Sequence, residues 1–216
     1  RPGWVNNEQQ AYTDRDTNVF LQDGNLVIQG LIEPNYSGTD YNGNQYTSNY
    51  TSGRINTDDK FSWTYGRFDI RAKLPGGRGS WPAIWMLGES ISSIGWPDCG
   101  EIDILEWSPN YLRFLVDDSP FFFVYNDYNG NQAKWPFDSP HYIILNLAIG
   151  GDWGGVQGIA SSAFPMTMLV DHVRVSKRSE NFGDVKVTFQ VDMQNVNVSG
   201  TGVWLSGGSI SSSIHG

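Results

Sequence analysis

The sequence predicts an all-β chain, a β-sandwich or jelly roll, and three observations predict it. Apolar residues alternate with polar ones in short segments instead of recurring at helical spacing. Glycines (25) and aromatics (Trp 9, Tyr 10, Phe 11) are abundant, as suits strands joined by tight turns. Helix formers are sparse and badly spaced, and no segment reads as a helix. At 216 residues the chain is long enough for one sizeable core.

The elements follow in order. Residues 19–30 read as strand, turn, strand, with Asp23-Gly24 as the turn. Residues 34–52 are rich in Asn, Tyr, Gly, Ser and Thr and read as a surface loop. Residues 65–74 alternate cleanly: Phe68, Ile70, Ala72 and Leu74 face one way, Arg67, Asp69, Arg71 and Lys73 the other. Pro75–Gly79 is a loop and Trp81–Leu87 a buried strand. Leu112–Val116 and Phe121–Tyr125, split by Asp117-Asp-Ser-Pro120, form a hairpin. His141–Ile149 and Met168–Ser176 are further strands around the glycine-rich Gly150–Gly155. Residues 179–184 look like a linker. Val185–Met193 alternates again and Gly202–Leu205 reads as another strand, so residues 185–216 resemble the start of a second β module, too short to fold alone.

Composition narrows the function. The net charge of −9 lacks the basic footprint that nucleic acid requires, and it disfavours an anionic membrane surface. No apolar run approaches the ~18 residues of a membrane span. One cysteine, Cys99, allows no internal disulfide and reads as an apolar filler. His141, His172 and His215 have no metal-ligand spacing. A Gly-x-Ser-x-Gly elbow and a phosphate loop are both lacking. A neutral polymer fits better as the partner.

The segment Glu101-Ile-Asp-Ile-Leu-Glu106 carries the chemistry. Cutting a glycosidic bond with retention needs two carboxyl groups ~5–5.5 Å apart. Glu101 and Asp103 share a strand face by period two; Glu106 does not, and Leu105 breaks the apolar alternation of Ile102 and Ile104. A β-bulge near Ile104-Leu105 restores the phase and sets all three acids on one face. Crowded carboxylates raise at least one pKa, as a general acid needs. The plainer alternative is a solvated acidic face. Tryptophans surround the motif in sequence. Trp81, Trp96 and Trp153 sit by Gly or Pro loops, where indole can stack on sugar C–H faces; Trp85 and Trp107 read as partly core.

Six stretches resemble glycoside hydrolase family 16. They are the segments beginning Gly66-Arg-Phe-Asp-Ile-Arg, Trp81-Pro-Ala-Ile-Trp-Met, Gly100-Glu-Ile-Asp-Ile-Leu-Glu-Trp, Trp135-Pro-Phe-Asp, Leu145-Asn-Leu-Ala-Ile-Gly-Gly-Asp-Trp and Met168-Leu-Val-Asp-His. The resemblance spans residues 4–178. It implies a β-jelly-roll sandwich of two antiparallel sheets with a concave substrate cleft. It implies Glu101 as nucleophile, Asp103 as assisting acid and Glu106 as acid/base. The bulged motif and Trp4-Val-Asn-Asn-Glu-Gln-Gln-Ala-Tyr-Thr look like laminarinases, secreted endo-β-1,3-glucanases, here expected as a monomer. The alternatives are a non-catalytic glucan-binding protein, or a hydrolase of a mixed-linkage glucan or marine galactan.

The same resemblance implies Asn7, Arg54, Trp81, Trp85 and Asn146 as substrate contacts beside Trp96 and Trp153. It implies no cofactor for catalysis. A structural Ca2+ is implied at the Gly24 carbonyl and the Asp171 carboxylate. Two departures stand out: the family's N-terminal strand precedes Arg1, and strands that the family carries are missing after Asn110, where Tyr111 follows directly.

Overall fold

The computed structural model describes residues 5–39, 43–103, 106–108, 111–116, 119–125, 135–178 and 184–185. In chain order the strands are β1 (Gln10–Tyr12), β2 (Val19–Gln22), β3 (Asn25–Thr39), β4 (Gln45–Ser52), β5 (Arg54–Asn56), β6 (Arg67–Lys73) and β7 (Ser80–Gly88). There follow β8 (Glu101–Ile102), β9 (Glu106–Ser108), β10 (Tyr111–Val116), β11 (Ser119–Tyr125), β12 (His141–Ile149), β13 (Met166–Arg178) and β14 (Asp184–Val185). They make the two sheets of a jelly-roll sandwich. The larger runs β1-β4-β3-β13-β6-β9-β10-β11, with β2 beside β3 and β14 beside β13; the smaller runs β5-β12-β7-β8.

Local chemistry explains most boundaries. Asp23 (φ 50°) and Gly24 (φ 77°) both take left-handed backbone, as a two-residue hairpin turn between Gln22 and Asn25 demands. β6 alternates, so Phe68, Ile70 and Ala72 pack on the core; Leu74 lies past the strand end and is exposed. β12 is buried along its whole length because the core covers one face and cleft residues the other.

The core lies between the sheets. Ile28 of β3 and Met166, Met168, Val170 and Val175 of β13 meet Met86, Ile102, Ile143, Leu145, Leu147 and Ile149 from the smaller sheet. Each such side chain contributes about 1.5–3 kcal/mol on burial.

Residues 34–52 correct the expected surface loop. β3 continues to Thr39 and pairs with β4 in a long hairpin. Both strands are largely polar and half exposed, so no apolar alternation advertises them. Gly38 stands opposite Tyr46, and a Cβ on it would come within 2.6 Å of the Tyr46 ring, so the glycine makes room for the aromatic across the ladder. The expectation of no helix also needs correcting: single turns α1 (Ile91–Ile94) and α2 (Gly151–Gly154) occupy loops, too short for helical periodicity to register. At the C-terminal side, Lys177 and Arg178 pair with Val185 and Asp184. Residues 179–183 and 186–216, which hold the rest of the expected linker and second module, lie outside the described residues.

Candidate active site

The smaller sheet gathers the candidate residues on its face away from the core. Residues directly opposed in a ladder share a face. Arg54 opposes Asn146, Trp81 opposes Ala148 and Trp85 opposes Ile144. Tyr142 opposes Leu87, which opposes Glu101 on β8. The alternate residues Met86, Ile102, Ile143, Leu145, Leu147 and Ile149 point into the core. Arg54, Trp81, Trp85, Asn146 and Glu101 therefore line one surface.

β8 is held there by close packing of glycines. Gly88 donates its N–H to the Gly100 carbonyl at 3.0 Å, and a Cβ on Gly88 would sit 1.9 Å from the Cys99 carbonyl oxygen. No other residue allows that approach. Cys99 is buried against Leu87, Tyr142 and Ile144, and burial pushes its thiol pKa up, as an apolar filler requires.

Glu101 has a raised pKa. Withdrawal from water is the largest cause, the charge of Asp103 adds to it, and a hydrogen bond from the Trp96 side chain opposes both. Asp103 is raised by desolvation alone. The direction agrees with crowded acids, but solvent exclusion dominates over repulsion. Trp96 is 65% exposed, so its indole ties the carboxylate while leaving a face open.

The bulge expected near Ile104-Leu105 falls outside the described residues. β8 ends at Ile102 in the smaller sheet, whereas β9 starts at Glu106 in the larger one, where Glu106 opposes Arg67 of β6 and Arg113 of β10. Ile104, Leu105 and the side chains of Glu106 and Trp107 lie outside the described residues.

At the other end of the face, Trp81 stacks on Trp153 with ring centroids 6.3 Å apart at 19°. Trp153 rides on α2 and is 77% exposed. Asn7 donates from Nδ2 to Asp152 Oδ1 at 2.8 Å, anchoring the N-terminal segment to that turn. Along β7 the six steps from Trp81 to Leu87 span roughly 20 Å at ~3.3 Å per residue.

Two residues that sequence reasoning did not single out complete the floor. Tyr12 donates to Glu8 Oε2 (3.2 Å) and accepts from Asn146 Nδ2 (3.1 Å); Asn146 Oδ1 accepts from Trp85 Nε1 (2.8 Å). Arg54 lies over the Tyr12 ring at 6.0 Å, and burial lowers its pKa. The period-two spacing of Glu8, Gln10 and Tyr12 was the available signal.

The expected calcium ligands meet a competitor. Leu26 opposes Val170, so the Gly24 turn lies at the Asp171 end of that ladder. The exposed Asp171 carboxylate already accepts from Arg71 Nη1 at 3.0 Å, with the His172 ring at 3.1 Å. Both hold its pKa down, Arg71 the more. Among the described residues no group of three acids, histidines or cysteines is close enough to hold a metal.

A family description, XgeA-like, catalytic GH16 domain, matches residues 3–111. A beta-glucanase of Rhodothermus marinus is 38% identical over 225 residues, covering 80% of this chain and 75% of the relative. That alignment is longer than this chain's share of it, so the relative carries residues with no counterpart here. A glucan endo-1,3-beta-glucosidase A1 of Niallia circulans is 34% identical, covering 81% of this chain but only 33% of the relative. Among solved structures, SCLam, a non-specific endo-beta-1,3(4)-glucanase from family GH16, superposes with a TM-score of 0.72 at 38% identity, covering 80% of this chain and 79% of that one. A mutant of SCLam presents a 1,3-beta-D-cellobiosyl-glucose at its active site.

Proposed function

The chain belongs to glycoside hydrolase family 16, and on that premise we propose that it is an endo-acting hydrolase of β-1,3-glucan of the laminarin type, working with retention. The observation that carries the reading is the shared face of Glu101, Arg54, Trp81, Trp85 and Asn146. An acid partly withdrawn from water stands at one end of a floor of indoles and amides, the chemistry that holds a neutral sugar polymer.

In this mechanism the Glu101 carboxylate attacks the anomeric carbon, and Glu106 protonates the departing glycosidic oxygen. Water then attacks the glycosyl-enzyme, deprotonated by Glu106, and Glu101 leaves as carboxylate. Asp103 sits close enough in charge to raise the Glu101 pKa. A proton shared between the two acids steadies Glu101 between the steps. The N–H of Trp96 favours the ionised Glu101 that attack requires. Replacing Glu101 by Ser removes the nucleophile and should lower reducing-end release from laminarin by at least about 10³-fold. Undiminished hydrolysis would sink the assignment.

A non-catalytic glucan-binding protein is the alternative reading. Retention of curdlan without any reducing ends released by the unmodified chain selects it. Laminarin, lichenan, agarose and carrageenan compared side by side separate the glucan from the galactan specificities. A polymeric substrate that cannot cross a membrane supports action outside the cell, and fractionation of the producing cells checks this. A structural Ca2+ at Gly24 and Asp171 rests on the family and must displace Arg71. The two residues supply two of the ~6–8 oxygens such an ion takes. A higher melting temperature in Ca2+ than in chelator, lost in Asp171→Ala, is the expected result.

A further inference from the structure

We propose that Glu8 and Tyr12 are positioning residues that fix the orientation of the Asn146 amide and the Trp85 indole, and thereby set affinity for the glucan chain without touching it. The inference rests on the reading of Trp85 and Asn146 as sugar contacts. Donor and acceptor accounting carries it. The Trp85 indole can only donate, so it demands the Asn146 oxygen. The Glu8 carboxylate accepts from Gln10 Nε2 at 2.8 Å and from the Tyr12 hydroxyl. Tyr12 is thereby spent as a donor toward Glu8 and presents a lone pair to Asn146, which answers with its N–H.

Both sides of the amide are therefore dictated. A flipped Asn146 would set its NH2 against the indole N–H. With its orientation fixed, Asn146 offers one remaining N–H and one remaining oxygen lone pair at known positions to sugar hydroxyls. Burial raises the Tyr12 pKa well above its ordinary value, so the phenol keeps its proton and its direction. The anchor of the chain is rigid. Gln10 is fully buried, and its Oε1 accepts from the Ile149 N–H at 2.7 Å, pinning β1 against β12. Preorganised polar groups bind with less ordering cost, so loss of the relay should weaken ground-state binding more than the chemical step.

The experiment compares Tyr12→Phe, Glu8→Ala and Glu8→Gln with the unmodified protein. Side-chain nitrogen NMR reads the Trp85 indole and Asn146 amide, while kcat and KM on laminarin read the consequence. Tyr12→Phe keeps the ring under Arg54 and removes only the hydroxyl. It and Glu8→Ala should shift both resonances and raise KM about tenfold, with kcat within about twofold. Glu8→Gln keeps an oxygen able to accept from both Gln10 and Tyr12 and should stay close to the unmodified protein. Unchanged resonances in Tyr12→Phe overturn the relay. So does a fall in kcat at constant KM, or damage by Glu8→Gln equal to that of Glu8→Ala. If the unmodified chain neither binds nor cleaves laminarin, the proposed function fails, and the NMR comparison still decides the relay.

Discussion

Two polar networks flank β1, and they are built to different ends. Gln10 and Tyr12 face the smaller sheet and lead through Asn146 to Trp85. Between them Ala11 faces the other way, opposite Thr51 of β4. On that side Arg15 grips both oxygens of Glu33, and the Thr51 hydroxyl donates to the same carboxylate. Asn18 donates to Thr51 Oγ1 at 3.1 Å and to the Gln29 carbonyl at 2.9 Å. The second network closes on itself: each named donor ends on a protein acceptor, around fully buried Asn18 and Thr51. The first ends at Asn146 with bonding capacity left over on the cleft face. A closed network stabilises the fold, and an open one presents valences to a ligand.

Breaking the closed network at its centre should have the largest effect on stability. Asn18→Ala removes the side-chain donor to the Gln29 carbonyl and to Thr51 Oγ1 at a fully buried position. Such buried losses cost about 2–3 kcal/mol. Urea unfolding should show this as a lower midpoint at unchanged slope, with KM on laminarin unaffected in the folded protein. A KM change as large as that expected for Tyr12→Phe would erase the distinction between the networks.

The same contrast explains what the sequence made legible. Elements with a local period stood out: the Asp23-Gly24 hairpin, the alternation of β6, the apolar run of β12. The β3–β4 hairpin did not, because Tyr36, Gly38, Thr47 and Asn49 present polar or small residues to both sides, and pairing alone orders them. Glu101 and its face were legible, Glu101 from the chemistry of paired carboxylates, and Arg54, Trp85 and Asn146 through the family resemblance. Glu8 and Tyr12 were not, since their roles depend on a partner more than a hundred residues away. The bulge expected near Ile104-Leu105 lies outside the described residues.

The smallest expected effect concerns charge. The Arg15 hydrogen bonds hold the Glu33 pKa below its ordinary value, with help from Thr51. A carboxylate lowered in the folded state stabilises the protein above its unfolded pKa of about 4.3 and loses that contribution as pH falls through the folded value. Both side chains are about a third exposed, at 36% for Arg15 and 33% for Glu33, so water screens the pair and its worth is about 1 kcal/mol or less. Glu33→Gln should therefore be less stable than the unmodified protein near neutral pH, and the gap should close as the pH drops well below 4. Glucan affinity should not change, because the charge belongs to the closed network. A gap that persists in acid would assign the loss to the shape of the Arg15–Glu33–Thr51 cluster instead of its ionisation. A change in affinity would mean that β1 transmits between its two faces.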